Sequence, residues 1–400
     1  MSSFRNLCVS EVSGDVKEPE LLISKGENVF INYENKEIYE DLIRCKRKIG
    51  NEKYKKNWEK TKKRTNLYEL IHTTHSNKNM SVADHVPLSR SYFKMWEMLK
   101  EYKLLDKKTS IITAHLAEGP GGFIEAVKYY RKGYMDYMYG ITLRSTDGDV
   151  PGWNSSRKFL KKNRNVEICY GSDGTGNLYN INNILHFASV TGRNNVELVT
   201  ADGGFDFSTD FNNQERMFYR LFLCEVVTAL SIQKKGGTFI CKIFDIFHKF
   251  TYDILYILYS LYDELIIDKP NTSRPANSEK YIIARGFRGI SNIFLKQLQD
   301  IVLLWDNNIT SIIGTPISKE LIKQITKYNK IFINKQIINI NKTLDKIENK
   351  YTVRDLEETR KEQCIAAVNW CNKYEMRINR NCYVLKKFYN WRLLRKKVKK

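Results

Sequence analysis

The sequence predicts an α/β fold: a mostly parallel sheet with helices on both faces, flanked by helical N- and C-terminal extensions. Three observations lead there. Between residues 81 and 290, short apolar runs alternate with helical patterns, as repeated βαβ units require. The same stretch holds most of the glycines, several of them where a strand would turn into a helix. On either side the chain is more polar, rich in lysine, and its long apolar repeats have helical period.

Strand-like runs fall at Ser110–Ala117, Tyr137–Leu143, Val166–Tyr170, Val196–Ala201, Gly237–Phe244, Leu265–Asp268 and Lys280–Gly286. Helical patterns fall at Gly122–Arg131, Asn212–Gln233 and Thr251–Tyr262. No helix separates the last two strands, which predicts a hairpin-like edge with one antiparallel strand. Ligands of such sheets bind at the carboxyl ends of the strands.

Three zones follow: a basic extension over 1–80, the α/β domain over 81–290, and a helical extension with a basic tail over 291–400. The first contains Lys53–Arg64, where cations are interleaved with Tyr54 and Trp58. In the third, Ser318–Ile337 and Thr352–Met376 read as long helices. Cys364 and Cys371 lie seven apart on one face of the second, which points to core packing. The tail runs from Arg392 to Lys400.

The formal net charge is +21, which favours a polyanionic partner, nucleic acid before membrane. The eight cysteines form no C-x-x-C pair, a pattern of reduced buried thiols in a cytoplasmic protein. His72 and His75 form an isolated H-x-x-H without further ligands, which reads as structural. No signal peptide or membrane span is predicted.

The first strand runs into Glu118, Gly119, Pro120, Gly121, Gly122 and Phe123, then a helix. A phosphate loop needs a G-K-[ST] ending and a dinucleotide loop needs G-x-G-x-x-G; neither is present. A loop for S-adenosyl-L-methionine needs glycines, an acid near the strand end and room, which this segment offers; an ordinary strand–helix turn is the competing reading. Asp147 and Asp149 follow the second strand in a loop, as cofactor-ribose ligands or solvated charges. Asp173, after the third strand, reads either as a partner for the adenine amino group or as an Asp-Gly turn.

Four more residues converge on the same rim. Lys94 lies in a helix before the first strand, Asp202 ends a strand, Lys242 sits within an apolar strand, and Glu279 opens the last strand. A ribose hydroxyl is a weak nucleophile, so transfer of a methyl group to it needs orientation and proton removal. A lysine serves as base when burial or another cation lowers its pKa. Lys242 suits that role. Lys94 would add a second charge, and Asp202 and Glu279 would balance both; Asp202 would also favour a sulfonium. Taken singly, each residue also reads as an ordinary solvated or turn residue.

The segments SRSYFK, LAEGPGGF, VTADGGFDF, ALSIQKKGGTFICKIFDIF and KPNTSRPANSEKYIIARGF, between Ser89 and Phe287, resemble the FtsJ-like ribose 2′-O-methyltransferases. The nearest branch is that of enzymes methylating the first transcribed nucleotide of capped mRNA. The resemblance implies a Rossmann-like methyltransferase sheet and S-adenosyl-L-methionine as cofactor, with no metal in the chemistry. It implies Lys94, Asp202, Lys242 and Glu279 as a tetrad with Lys242 as base, Glu118–Phe123 and Asp202 against the cofactor, and Asn277 with Arg274 toward the target nucleotide. RNA, capped mRNA above all, is the implied partner, together with other capping enzymes. The Lys-, Asn- and Ile-rich flavour resembles large DNA viruses that encode capping machinery, which implies action in the host cytoplasm. Methylation of ribosomal or transfer RNA, and a non-catalytic RNA-binding subunit, are the alternatives.

Overall fold

The structure, a computed structural model, describes residues 7–9, 17–73, 78–106, 108–144, 152–205, 213–349 and 351–388. Its strands are β1 Leu7–Val9, β2 Leu21–Lys25, β3 Ile112–Leu116, β4 Tyr137–Ile141, β5 Val166–Cys169, β6 Val196–Ala201, β7 Gln233–Ile243, β8 Tyr262–Asp268, β9 Lys280–Phe287 and β10 Ile309–Ile313. The helices are α1 Tyr33–Ile49, α2 Glu52–Thr65, α3 Ser91–Glu101, α4 Gly122–Tyr130, α5 Arg157–Lys162 and α6 Ile181–Thr191. They continue as α7 Gln214–Ile232, α8 Lys249–Leu261, α9 Asn292–Leu303, α10 Lys319–Glu348, α11 Val353–Lys373 and α12 Tyr383–Phe388.

The main sheet has the order β1-β8-β9-β7-β6-β3-β4-β5. From β5 to β7 every pairing is parallel. The hairpin of β8 and β9 forms, but the antiparallel strand is not the edge: β9 slots between β7 and β8 and is antiparallel to both. The edge beyond β8 is taken by β1, also antiparallel, from the N-terminal extension. Because β9 reverses, the segment joining it to β8 lies on the rim where the parallel strands end.

The sheet is buried on both faces. Phe239 and Cys241 of β7 join one apolar cluster with α7, α8 and α9, whereas Ile240 joins the other with α3, α4 and α11. Opposite faces at alternate residues are the strand's own period. Helix α7 is buried at every position from Leu221 to Ile232, because it is sandwiched between the sheet and α9. Seven described cysteines are free and buried, Cys364 and Cys371 among them.

The outer zones are not purely helical. β2 and β10 pair as a second, two-stranded sheet that joins the two extensions. Asp253 of α8 fixes it, accepting from Ile312 N (2.9 Å) and Ser311 Oγ (2.7 Å). The basic stretch Lys53–Arg64 is helix α2, and its Trp58 is buried with Leu42, Ile340 and Leu344. That ring is core, not a platform for bases. The tail from Arg392 lies outside the described residues. Among the described residues no helix is long and apolar enough to cross a membrane.

Helix α3 ties the sheet to the C-terminal extension. Tyr92, Phe93, Met95, Met98 and Leu99 are buried in the core. Glu97, 3% exposed, accepts from Asn271 N (2.9 Å), Thr272 N (3.2 Å), Thr272 Oγ1 (3.0 Å) and Trp370 Nε1 (3.0 Å). Glu97→Ala strands these buried donors, each worth ~1–3 kcal/mol. Denaturant unfolding of that variant is expected to show a loss of about 3 kcal/mol or more, and a loss below 1 kcal/mol would contradict the bridging role.

Candidate active site

The carboxyl ends of β3, β6, β7 and β8 and the start of β9 lie side by side. Leu116 is level with Ala201, Ala201 with Cys241, and Lys242 with Tyr281. This register brings four predicted residues from four segments to one place. Lys94 Nζ lies 2.8 Å from each carboxylate oxygen of Glu279. Lys242 Nζ donates to Asp202 O (2.7 Å) and lies 3.3 Å from Asp202 Oδ1. Tyr281 links the pairs: its hydroxyl donates to Asp202 Oδ1 at 2.9 Å, and Lys94 Nζ sits 5.9 Å from its ring centre. All four charged side chains are 11–14% exposed, so none is a free surface charge.

The protonation pattern departs from expectation at one point. Burial pulls Lys242 down, but Asp202, Glu279 and Glu225 outweigh it and hold the lysine above its ordinary pKa. The resting side chain is an ammonium. Burial pushes Glu279 up, yet Lys94, Lys242 and Lys269 overcome this and bring it to about 2. Glu225, behind the site, is pushed by burial to about 8 despite Lys242 nearby.

The glycine loop turns as its composition demands. Gly121 has φ +103°, and its peptide N–H closes a turn onto Glu118 O at 2.7 Å. A Cβ on Gly122 would lie 2.2 Å from Ser91 Oγ and 2.8 Å from Tyr92 N, so α3 and α4 touch there. Phe123 is fully buried in the core beneath Tyr281. Glu118 is 3% exposed; its Oε1 lies 2.8 Å from Thr200 Oγ1 and 2.7 Å from His115 Nδ1. Its buried Oε2 has no partner among the described residues. An unmet acceptor beside glycines and a helix N-terminus fits a ligand that brings N–H or O–H donors, as the amino acid and ribose parts of S-adenosyl-L-methionine do.

Asp173 is committed to its own turn. It accepts from Thr175 N, Thr175 Oγ1, Asn180 Nδ2 and Asn183 Nδ2, at 2.7–2.9 Å, and these bonds depress its pKa. The Thr175 bonds are those of an Asx turn, and Asn180 and Asn183 add two more from the cap and first turn of helix α6. Asp147 and Asp149 lie outside the described residues, as does His75. His72 stacks on Phe93, with ring centres 5.4 Å apart.

Residues 269–279 form the roof of the site. Arg274 pairs with Glu69 through Nη2 (3.0 Å) and Nε (3.2 Å), so the turn that follows α2 grips this loop. Asn277 is exposed, with its side-chain oxygen 2.7 Å from Lys269 Nζ. Lys269 was not anticipated. Burial, helped by Lys280 and Lys94, brings it down to about 7 against Glu279 and Asp245. A cavity of about 500 Å³ opens beside the loop, lined by Tyr68, Asn271, Ser273, Lys342, Tyr351 and Glu362 among others.

A Rossmann-like sheet with a glycine loop after its first core strand and a lysine–carboxylate rim defines a group-transfer enzyme of the methyltransferase type. Residues 87–287 match the FtsJ-like methyltransferase family, and the chain belongs to that family. Its methyl donor is S-adenosyl-L-methionine. The chain is similar to cap-specific mRNA (nucleoside-2′-O-)-methyltransferase 1 of Trypanosoma brucei brucei, 30% identical over 277 residues, which are 66% of this chain and 72% of that protein. It is 37% identical to the Homo sapiens protein of the same name over 189 residues, 45% of this chain and 22% of that one. With Caenorhabditis briggsae methyltransferase 1A it shares 31% over 246 residues, 57% of this chain and 28% of that one. The chain thus spans less than a third of the human and nematode relatives. Among solved structures, a putative ribosomal RNA methyltransferase from Plasmodium falciparum has a TM-score of 0.38 at 17% identity, covering 51% of this chain and all of that one; likeness at that level adds nothing to the assignment.

Gly122→Ala is expected to force α3 from α4, costing ~1–3 kcal/mol and weakening cofactor binding. Gly152, with open space around its Cβ position and no positive φ, is the control. Thermal shift and cofactor titration compare the two alanine variants; equal behaviour would refute the close-approach argument.

Proposed function

We propose that the protein methylates the ribose 2′-hydroxyl of the cap-proximal nucleotide of mRNA, with Lys94, Asp202, Lys242 and Glu279 as its catalytic set. The observation that carries this reading is the meeting of those four side chains, as two ion pairs joined by Tyr281, on the rim beside the glycine loop. Buried lysines balanced by buried carboxylates are costly to maintain without chemistry to perform, which disfavours a non-catalytic RNA-binding role. The names of the relatives favour capped mRNA over ribosomal or transfer RNA. The cavity under Tyr68 supports it too, because aromatic and acidic groups suit a base carrying positive charge. Association with other capping enzymes and action in the cytoplasm belong to the same proposal.

Bound S-adenosyl-L-methionine supplies an electrophilic methyl group on a positively charged sulfur. Glu118 and the backbone of Gly119–Phe123 would hold it, with Asp202 favouring its charge. Lys242, as the neutral amine, takes the proton from the 2′-oxygen as that oxygen forms its bond to carbon and the carbon–sulfur bond breaks. Lys94 stabilises the developing oxyanion, and Glu279 holds Lys94 in place. Asn277 and Arg274 orient the nucleotide. Because the carboxylates keep Lys242 protonated at rest, the amine is the minority form near neutrality.

The direct test offers labelled S-adenosyl-L-methionine with capped RNA, uncapped RNA and capped RNA already 2′-O-methylated. Label on the first alone is expected; equal label on uncapped RNA would sink the cap reading. Lys242→Ala is expected to lose at least ~100-fold in turnover while binding cofactor normally, and retained turnover would remove it as base. The pH–rate profile should rise with pH as Lys242 loses its proton. Removing a negative neighbour lowers a lysine pKa, so Asp202→Asn should shift that rise to lower pH; a shift upward would contradict the assigned coupling.

A further inference from the structure

Lys269 has no part in the catalytic set, yet it is 4% exposed beneath the loop that bears the predicted site residues Arg274, Asn277 and Glu279. Its Nζ lies 2.6 Å from Glu279 O, 2.9 Å from Asn277 O, 2.7 Å from Asn277 Oδ1 and 3.3 Å from Ser273 Oγ. Two of these partners are backbone carbonyls and can only accept. An ammonium has three protons and no lone pair. A third proton therefore goes to the Asn277 amide, and only the amide oxygen can receive it.

From this geometry we infer that Lys269 is a positioning residue that fixes the amide of Asn277 so that its NH₂ faces outward as a hydrogen-bond donor to RNA. The same contacts hold the backbone of Glu279, so one cation aligns the donor and the carboxylate bound to Lys94. Asn277 is exposed, and its Nδ2 has no hydrogen-bond partner among the described residues. The outward group would recognise an acceptor on the target nucleotide, a ribose, phosphate or base oxygen, and reject a donor at the same point. The inference rests on the proposal that this loop meets RNA.

Protonation gives the arrangement a second property. A neutral amine has two protons, which the carbonyls of Asn277 and Glu279 would take, leaving a lone pair toward the amide. The amide oxygen would then keep only the longer bond from Ser273 Oγ (3.4 Å), and the amide would turn to present its oxygen outward. The charged groups facing Lys269 are Glu279 and Lys280 at the start of β9, Lys94 on α3 and Asp245 after β7, and with burial they bring its pKa to about 7. RNA affinity should therefore fall as pH rises through neutrality.

The test measures binding of a short capped RNA directly, beside KM for RNA, KM for S-adenosyl-L-methionine and kcat. Asn277→Ala changes an exposed residue and is expected to weaken RNA binding about 10-fold with the cofactor KM unchanged. Lys269→Met is expected to do the same, and the double variant to be no worse than the single ones, since one residue acts through the other. The fall in affinity from pH 6 to pH 8 should be present in the wild type and absent in Asn277→Ala. Unchanged RNA affinity in Asn277→Ala, or additive losses in the double variant, would overturn the inference. Wild-type protein that binds RNA without transferring methyl would sink the proposed reaction alone; binding would still judge the role of Lys269. Wild-type protein that binds no RNA would overturn both.

Discussion

The contact on which the site depends is the double attachment of helix α3 to the loop between β8 and β9. Lys94 and Glu97 are three apart and so share a helix face. Lys94 holds Glu279 at one end of the loop, and Glu97 holds Asn271 and Thr272 at the other. The loop has no regular structure of its own. Its shape comes from these anchors, from Glu69 on Arg274 and from Lys269 within. Glu97 also takes the indole N–H of Trp370, so the C-terminal extension bears on the geometry of the rim.

Electrostatics sets the second constraint. Lysines 46, 94, 242, 269 and 280 crowd one end of the sheet, and a cluster of that kind would repel itself without compensation. Asp202, Glu279, Asp245 and Glu225 are interleaved with them. Lys46 pairs with Asp245 at 3.0 Å, and Lys280 is held by the carbonyls of Phe244 (2.7 Å) and Ser278 (2.9 Å). The resulting field leaves Lys242 charged in the free protein; in the proposed reaction, a positive sulfonium drawing on Asp202 would act in the direction that frees the amine.

Much of the fold was legible because the central strands are covered on both faces and read as apolar runs bounded by glycine. β6 has the limits its sequence predicts, and the other strands shift by a few residues. Helix α6 escaped notice because Asn180, Asn182 and Asn183 look like loop, although Asn180 caps the helix by accepting from Asn182 N. The place of β9 inside the sheet could not be read, since pairing order is a tertiary choice. At the site, Asp202 stood out in the sequence by ending its strand and Lys242 by lying within an apolar one. Lys269 did not: a lysine before proline looks solvated, and only the loop folded over it reveals four acceptors. Asp173 has two readings in the sequence, and the bond from Thr175, two residues on, is the mark of an Asx turn.

The edge strand β1 has a further consequence. Three residues far from the α/β region in sequence complete its sheet, pairing Leu7, Cys8 and Val9 with Ile267, Ile266 and Leu265. A fragment trimmed to 81–290 would leave the outer edge of β8, still paired to β9 on its other side, open and apolar, a template for sticking to a second copy of itself. It would also lose Glu69, which grips Arg274, and Trp370, which shares Glu97. The boundaries that look natural from composition are therefore poor places to cut: the unit that stays soluble and keeps its rim intact has to carry both flanks.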